Sequence, residues 1–194
     1  TGHNSGVIHS GLYYRPGSLK AQLCRKGREE LLAFCQAHGI PFELCGKLVV
    51  ATREEQVPAL EELARRGEAN GLDALRWVEG AEVPRYEPAA RGVAALWVGD
   101  TGIVDFRQVA EVLAREVEQA GGELRLGFRV RQLAPTGRGW RLSGPGGAME
   151  ARGVVVCAGL HADRLARQVG VGGGIRIVPF RGEYWELAAH RRHL

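Results

Sequence analysis

The sequence lacks the features that define several common classes of protein. Its four cysteines form no CxxC pair and no spacing typical of zinc ligands, which argues against a zinc module. The longest apolar run, VVVCAGL, is far shorter than the roughly 20 residues that a membrane-spanning helix needs. We therefore expect a protein that does not cross a membrane and that occupies a reducing, cytoplasmic-type compartment.

Lysine is scarce, although the chain is basic. Only three of its 26 basic residues are lysines, and the formal net charge is +4 with an isoelectric point of about 9.1. The arginines are interspersed with carboxylates, as in LEELARRGEANG and LAREVEQ, a pattern typical of solvated helix faces. We expect no nucleic-acid partner, and a non-catalytic basic α/β module that binds nucleic acid is the alternative from another class of protein.

Two amphipathic helices are predicted from apolar periodicity and capping residues. The first starts after Ser18, a preferred N-cap residue, and ends at Gly39, where a left-handed conformation is expected. The second starts after Asp105 and ends at Gly121 and Gly122. The residues expected on the buried faces are Leu19, Leu23, Leu31, Phe34 and Cys35 in the first helix and Val109, Val112, Leu113 and Val117 in the second.

Strand patterns surround these helices, so we predict a mixed fold of the α/β or α+β type. The strands are expected at FELCGKLVVA, LRWVE and AALWVG, and then in a β-meander formed by ELRLGFRVRQLA, GWRLS and AMEARG. The VVVC segment that follows lacks alternation of polar and apolar residues, as parallel strands buried on both faces do. The apolar run IRIVPFRGEYWEL is also strand-like.

The stretch VVVCAGLHAD, residues 154 to 163, has the form of a strand, a turn of small residues and the start of a helix. Ligands of doubly wound sheets bind beyond the carboxyl ends of strands, where helix N-termini present free N–H groups. Ala158 and Gly159 would let a pyrophosphate or ribityl chain approach the backbone. A tight strand-to-helix bend explains the two small residues equally well. The glycine fingerprint G-x-G-x-x-G of nucleotide folds is absent.

The first 14 residues, TGHNSGVIHSGLYY, are too rich in polar groups and glycine to form a core. Such a density of hydrogen-bonding groups suits a loop wrapped around a ligand, although any exposed turn has a similar composition. His3 and His9 do not share a helical face, and no third ligand candidate lies near them in the sequence, so we expect no metal site.

Arg181 is a candidate for binding a substrate carboxylate. It follows an apolar run and precedes Gly182, which permits close approach of another group. Its planar guanidinium matches the geometry of a carboxylate. An ion pair with a surface carboxylate is the commoner use of such an arginine and is the alternative.

Five separated blocks of the sequence together resemble one family of enzymes. The blocks are, in order, HNSGVIHSGLYYRPGSLKAQLC, CGKLVVAT, DTGIVDFRQVA, VVVCAGLHADRLA and RIVPFRGEYWEL. The family is that of the L-2-hydroxyglutarate oxidases and dehydrogenases, within the D-amino-acid-oxidase-like group of FAD-dependent oxidoreductases. The resemblance covers nearly all of this chain but only the middle of the family's length.

This resemblance implies the middle part of a two-domain enzyme. A Rossmann-like FAD domain that lacks its first βαβ unit would comprise residues 1–45 and 100–170, and a mixed-sheet substrate domain would comprise residues 46–99 and 171–194. Family members carry the G-x-G-x-x-G fingerprint in that first unit, which accounts for its absence here. Because most phosphate contacts belong to that unit, we expect these 194 residues alone to bind FAD weakly or not at all.

The resemblance also implies which residues contact the cofactor. The implied neighbours of the flavin are Asn4, Ser5, Gly6, His9, Ser10 and Gly11. The main chain of Val130 would contact the adenine. Ala158 and Gly159 would lie against the pyrophosphate and ribityl region, which would make the two small side chains a requirement of FAD binding.

Four residues are implied to act on the substrate. Tyr13, Tyr14 and Arg181 would face it, with Arg181 on a carboxylate. His9 would be the catalytic base, because an imidazole titrates near neutral pH and the loop that carries it runs past the flavin in such enzymes. A hydrogen bond from His9 to the flavin or to the loop is the alternative role.

The implied reaction is oxidation of a 2-hydroxy acid, most specifically L-2-hydroxyglutarate, to the 2-oxo acid by hydride transfer to FAD. Oxygen or a quinone-linked acceptor would then take the electrons. We expect a cytoplasmic protein, with peripheral association with the inner membrane left open. Other members of the flavin group, such as a glycerol-3-phosphate dehydrogenase or an amino-acid oxidase, are the nearest alternatives.

Overall fold

The computed structural model describes residues 2–191, so residue 1 and residues 192–194 of the predicted domains lie outside the described part. Two compact units form, which we call unit one (residues 2–122 and 188–191) and unit two (Glu123–Leu187). Helices and small sheets occur together along the chain, so the predicted mixed α/β fold is confirmed. Residues 2–45 and 46–99 share a unit, but compactness does not show which residues hold a cofactor. The assignment of FAD and substrate domains therefore stays a prediction.

Within residues 2–191, five α-helices and nine short strands make up most of the regular structure. The helices are α1 (Leu19–His38), α2 (Val57–Ala69), α3 (Val83–Tyr86), α4 (Phe106–Gln119) and α5 (Ala162–Gln168). The strands are β1 (Val7–Ile8), β2 (Phe42–Glu43), β3 (Leu48–Ala51), β4 (Leu75–Glu79), β5 (Ala94–Val98), β6 (Gly102–Val104), β7 (Gln132–Thr136), β8 (Gly139–Gly144) and β9 (Gly147–Ala151). Short 3₁₀ turns occur at Glu54–Gln56, Gly80–Glu82, Gly159–His161 and Ala189–Arg191.

The strands form three antiparallel sheets of three strands each. In unit one, β6 lies between β1 and β2, and β5 lies between β3 and β4. In unit two, β7, β8 and β9 form the predicted meander. Its first strand begins at Gln132 and not near Glu123 as predicted, so residues 123–131 approach the sheet without belonging to it.

The predicted ends of the two long helices are confirmed by their capping geometry. The Ser18 hydroxyl accepts a hydrogen bond from the Ala21 backbone N–H at 3.3 Å, and Gly39 is left-handed with φ of 65°. At α4, the Asp105 carboxylate accepts a hydrogen bond from the Arg107 backbone N–H at 2.8 Å. That hydrogen bond holds the pKa of the Asp105 carboxyl below its usual value, so the cap is charged at neutral pH and favours the start of the helix.

Unit one is stabilised by apolar clusters that helices and sheets share. One cluster joins α2 to β3 and β5, and its buried members are Leu12, Ala51, Leu60, Leu72, Ala94, Leu96 and Val98. A second joins α1, β6 and α4, and its buried members are Ile8, Cys35, Ile40, Val104, Val109 and Val112. Removal of these side chains from water is the main favourable term in folding. Ile8 of β1 belongs to the second cluster and Leu12 to the first, so the segment between them is anchored at both ends.

The buried faces predicted for the two long helices are correct only in part. Leu19 and Leu23 of α1 and Leu113 and Val117 of α4 are exposed. The second cluster draws on the later turns of α1 and on one narrow stripe of α4. The apolar residues outside that stripe have no neighbouring element to pack against within unit one, so they stay in contact with water.

The segment 42–51 forms two strands and not the single strand predicted. β2 pairs with β6, whereas β3 pairs with β5, so the two halves belong to different sheets. The break lies at Gly46, whose φ of 70° is in the left-handed region. A Cβ atom at this position would overlap the ring of Trp97, so both conformation and space require glycine.

Two strand predictions in unit two are wrong. Residues 154–157 pair with no strand among the described residues, and Val155 is 88% exposed instead of buried. Residues 175–187 also form no strand, and Trp185 is 95% exposed. A strand needs a neighbouring strand to satisfy its backbone N–H and C=O groups, and residues 2–191 supply none to either segment.

A partly buried ion pair links three parts of unit one. Arg28 Nη1 of α1 lies 2.6 Å from Asp100 Oδ1, and each side chain is only 13% exposed. Asp100 lies between β5 and β6, and its Oδ2 accepts a hydrogen bond from the Ala74 backbone N–H at 3.1 Å, just before β4. Arg28 also donates to the Asp100 carbonyl at 3.3 Å. The pair therefore fixes α1 against the connection between the two sheets.

Replacing Asp100 by alanine should lower the free energy of unfolding by about 3 kcal/mol, because it leaves the Arg28 guanidinium partly buried without a counter-charge. Urea denaturation followed by circular dichroism measures this change. Glu111→Ala is the control, since it removes an exposed ion pair with Arg107 and should cost less than about 0.5 kcal/mol. Equal losses in the two variants would contradict the assigned role of the buried pair.

Candidate functional site

A large cleft lies within unit two, bounded by the meander, by residues 154–158 and by α5. Its volume is about 750 Å³, within the range of small-molecule sites. We call it the unit-two cleft. The residues that line it outside 154–158 are Arg129, Val130, Arg131, Leu133, Leu142, His161, Arg164, Leu165 and Gln168.

Gln168 joins α5 to the edge of the meander. Its Oε1 accepts a hydrogen bond from the Leu133 backbone N–H at 2.8 Å, and its Nε2 donates to the Arg131 carbonyl at 3.0 Å. The side-chain amide thus pairs with the open edge of β7 in the way that another strand would. This contact sets the distance between α5 and β7, and with it the width of the cleft.

The cleft combines apolar walls with unpaired positive charge. Arg129, Arg131 and Arg164 line it, and none of the three makes an ion pair with another described residue. By contrast, Arg141 and Arg167 in the same unit pair with nearby carboxylates. Apolar walls suit a ring system, and unpaired guanidinium groups suit phosphate or carboxylate groups. The cleft therefore fits a ligand that carries both, such as a dinucleotide.

Ala158 and Gly159 lie at one end of this cleft, but only Ala158 lines it. Gly159 starts the 3₁₀ turn before α5 with φ of 52°, so the bend alone requires glycine. A Cβ atom added there would meet no atom within 4 Å, so the backbone is open on that side. The tight bend thus accounts for the glycine itself, and contact of these residues with a ligand stays a prediction.

The predicted flavin neighbours of the N-terminal segment all lie in unit one. Asn4 Oδ1 accepts a hydrogen bond from the Gly6 backbone N–H at 2.7 Å, which closes a tight turn before β1. Ser5 and Gly6 line a second cavity of about 580 Å³, together with residues of β2 and β6. This cavity suits an anionic ligand less well than the unit-two cleft does. Its lining includes the carboxylates of Glu43 and Asp105, and the described lining contains no basic residue.

The segment 9–14, which we call the 9–14 loop, carries the remaining N-terminal candidates. His9 is exposed, whereas Ser10 and Gly11 are buried. The Ser10 hydroxyl has no hydrogen-bond partner among the described residues. The Cys24 thiol donates to the His9 carbonyl at 3.4 Å, and burial raises the pKa of that thiol, so it keeps the proton that it donates.

Tyr13 and Tyr14, predicted to face a substrate, differ in their surroundings. Tyr13 is exposed, with Lys47 Nζ 4.3 Å from the centroid of its ring, and Tyr14 is half-buried. The Arg66 guanidinium donates to the Tyr13 carbonyl at 3.2 Å. Lys47 makes no ion pair with another described residue, and its ammonium group interacts with the face of the Tyr13 ring.

Arg181 forms the surface ion pair that the sequence offered as its alternative role. Its side chain is 88% exposed, and its Nε lies 3.8 Å from Glu183 Oε1. An exposed pair of this kind contributes little to stability. Its predicted contact with a substrate carboxylate stays a prediction.

The structure brings some predicted residues together and adds others. Val130 and Ala158, which are 28 positions apart, line the same cleft, while the other candidates before position 15 lie in unit one. The arginines on either side of Val130 were missed, although they are its neighbours in the sequence. Gln168 was missed because its contact with Leu133 spans 35 positions and leaves no local pattern.

Neither a metal-ligand cluster nor a membrane-spanning helix occurs within residues 2–191. No group of three or more histidine, cysteine, aspartate or glutamate side chains there could hold a metal ion. No helix in that range combines the length and the apolarity that crossing a bilayer requires.

Comparison with known proteins defines the class to which this fold and cleft belong. The family model described as DAO, FAD dependent oxidoreductase, matches residues 1–194. The chain belongs to this family, and FAD is the family's cofactor. The apolar walls and unpaired arginines of the unit-two cleft fit the rings and the pyrophosphate of that cofactor.

Particular relatives are similar over the whole chain. It is 45% identical over 195 residues to the L-2-hydroxyglutarate dehydrogenase of Indibacter alkaliphilus and 40% identical over 206 residues to the mitochondrial L-2-hydroxyglutarate dehydrogenase of Homo sapiens. Both alignments cover 100% of this chain, but 49% and 44% of the respective relative, so the chain spans about half the length of the curated relatives it matches.

A solved structure supports the fold. Glycine oxidase from Geobacillus kaustophilus superposes with a TM-score of 0.76 at 24% sequence identity. The superposition covers 87% of this chain and 47% of the oxidase chain. This likeness shows that the backbone fold is shared.

Replacing Gln168 by methionine should speed hydrogen exchange at the Leu133 amide about 5- to 10-fold, because that N–H loses its hydrogen-bond acceptor. Hydrogen–deuterium exchange with mass spectrometry measures the effect. In the control Gln22→Met, only an exposed hydrogen bond to the Gly17 carbonyl is lost, and exchange at Leu133 should not change. Unchanged exchange in the Gln168 variant would show that the amide does not hold α5 to β7.

Proposed function

We propose that this chain is the middle part of an FAD-dependent enzyme that oxidises L-2-hydroxyglutarate to 2-oxoglutarate. The observation that carries the proposal is the 45% identity to an L-2-hydroxyglutarate dehydrogenase along the whole chain. Membership in the FAD dependent oxidoreductase family supports the cofactor, and the names of the relatives support the substrate.

The unit-two cleft is proposed to hold part of the cofactor. The main chain of Val130 would contact the adenine, and Ala158 and Gly159 would lie against the pyrophosphate and ribityl region. The three unpaired arginines of the cleft support this assignment, because a diphosphate needs positive charge nearby. The open space beside Gly159 supports it as well, because no atom lies within 4 Å of the position that a Cβ atom would take there.

The N-terminal segment is proposed to contact the flavin ring system. The residues are those predicted from the sequence, namely Asn4, Ser5, Gly6, His9, Ser10 and Gly11. His9 supports the proposal best, because its side chain is exposed while the loop around it is held by hydrogen bonds to its carbonyl groups. An accessible imidazole on a fixed loop is what an acid–base group requires.

The proposed chemistry divides between cofactor and protein. When bound, FAD supplies the hydride acceptor for the Cα hydrogen of the hydroxy acid. His9 takes the hydroxyl proton, or else it only hydrogen-bonds the flavin or the loop. Tyr13, Tyr14 and Arg181 bind the substrate, and a substrate carboxylate would replace Glu183 as the partner of Arg181.

The electron acceptor and the location belong to the same proposal. Oxygen or a quinone-linked carrier would reoxidise the flavin. The protein would be cytoplasmic, with peripheral association with the inner membrane if a quinone pool accepts the electrons. Reoxidation by oxygen alone, compared with reoxidation by a soluble quinone analogue, separates the two acceptors.

The complete protein that contains this chain should bind FAD and be reduced by L-2-hydroxyglutarate. Anaerobic mixing should bleach the visible absorbance of the flavin, and the D-enantiomer should do so far more slowly, because the hydride must face the flavin ring. Bleaching by glycerol 3-phosphate or by an amino acid instead would place the enzyme elsewhere in the same flavin group. A colourless protein that takes up no added FAD would overturn the proposal.

His9→Asn should lower the rate of flavin reduction by about 10²- to 10⁴-fold while FAD stays bound, because the base for the hydroxyl proton is lost. Anaerobic stopped-flow absorbance measures the rate. His3→Asn is the matched control and should leave the rate nearly unchanged. A normal rate in the His9 variant would reduce its role to a hydrogen bond.

A further inference from the structure

The backbone of the 9–14 loop is held by a side chain from a distant part of unit one. Asn70 follows the last residue of α2, and its backbone N–H donates to the Arg66 and Gly67 carbonyls, which fixes its position at the helix end. Its side-chain Nδ2 donates to the Gly11 carbonyl at 3.1 Å and to the Tyr14 carbonyl at 2.9 Å. One amide group therefore holds both ends of the turn that these residues form.

The loop itself contributes to the same arrangement. The Tyr14 backbone N–H donates to the Gly11 carbonyl at 3.1 Å, and Gly11 has φ of 91°, which only glycine adopts without strain. The turn is thus closed from within by one hydrogen bond and from outside by two. Without the amide of Asn70, the two carbonyl groups would lose a shared donor that carries two hydrogens in a fixed plane.

The oxygen of the Asn70 amide makes no contribution of the same kind. Asn70 Oδ1 is buried and has no hydrogen-bond partner among the described residues, and the nearby Ser10 hydroxyl is in the same condition. Buried polar atoms without partners cost free energy. The contacts that the Asn70 side chain contributes are therefore the two hydrogen bonds from Nδ2 to the carbonyl groups of the loop.

We propose that Asn70 is a positioning residue for the candidate site. Its amide fixes the distance between His9, two residues before Gly11, and the Tyr13–Tyr14 pair at the other end of the turn. The inference rests on the proposed function, in which His9 acts on the substrate and the two tyrosines bind it. Small displacements of such groups change catalytic rates strongly, because proton transfer needs the reacting atoms within hydrogen-bonding distance.

The test uses the complete FAD-loaded protein with Asn70→Asp and Asn70→Ala. The aspartate variant keeps the size of the side chain but turns an oxygen toward the Gly11 and Tyr14 carbonyls. We expect kcat for L-2-hydroxyglutarate to fall at least about 10-fold in both variants, and the pH profile of kcat to shift. The dissociation constant of FAD should change less than about 3-fold, because most phosphate contacts to FAD are expected outside the 9–14 loop.

Arg91→Ala is the matched control. Arg91 also donates from one side-chain nitrogen to two backbone carbonyls, those of Pro88 and Ala90, but it is exposed and outside the 9–14 loop. Its kcat and pH profile should match those of the unaltered protein. Arg66→Gln provides a second test on a half-buried residue if the Asn70 variants do not fold, since it removes the donor to the Tyr13 carbonyl and should also lower kcat.

The outcomes separate this inference from the proposed function. If the unaltered protein reduces its flavin with L-2-hydroxyglutarate but the folded Asn70 variants keep a normal kcat and pH profile, the positioning role is overturned. A normal kcat in Arg66→Gln, when the Asn70 variants do not fold, overturns it too. If the unaltered protein is not reduced by any 2-hydroxy acid, the proposed function fails first and the inference falls with it.

Discussion

The ion pair between Arg28 and Asp100 is the contact on which the rest of unit one depends. Two opposite charges at 2.6 Å, largely removed from water, attract each other strongly, but only while both are present. Because Asp100 also accepts the Ala74 N–H, the pair ties α1 to both sheets of the unit at one point. The second apolar cluster packs on α1, and the first includes Val98, two residues before Asp100, so packing and charge reinforce one geometry.

Residues on or next to two helices of unit one hold the loop of the candidate site in place. α1 supplies the Cys24 thiol and α2 is followed by the Asn70 amide, and both reach carbonyl groups of the 9–14 loop. Unit two uses a similar device, since the Gln168 amide joins α5 to an unpaired edge of β7. In both units, side-chain amides supply backbone hydrogen bonds where no strand does, and the residues with proposed chemistry lie next to them.

Local features of the fold were predictable from the sequence, whereas pairing partners were not. Ser18, Gly39 and Asp105 indicate helix ends from local sequence alone, and all three cap the helices as predicted. The apolar run at 154–157 has the composition of a buried strand, but composition does not say which strand would lie beside it. The break at Gly46 depends on the ring of Trp97, about fifty positions away, and no local pattern reveals that contact.

In the candidate site too, local motifs were predictable from the sequence, whereas contacts between distant residues were not. The small-residue turn and the polar N-terminal segment were visible as motifs, so Ala158 and the loop around His9 could be singled out. Asn70 could not be, because it sits 59 positions from Gly11 and reads only as an ordinary residue at a helix end. The family resemblance supplied roles that spacing does not, and the structure supplied the neighbours that the resemblance did not mention.

The contact between Lys47 and the ring of Tyr13 has a practical consequence, because lysine is so rare in this chain. Within these 194 residues, the lysine side chains that an amine-reactive reagent can modify are Lys20, Lys26 and Lys47, and the first two lie on α1. Acylation of Lys47 would neutralise the ammonium group and end its attraction to the aromatic face. Covalent labelling followed by peptide mapping would thereby report whether Lys47 stays against the ring of Tyr13.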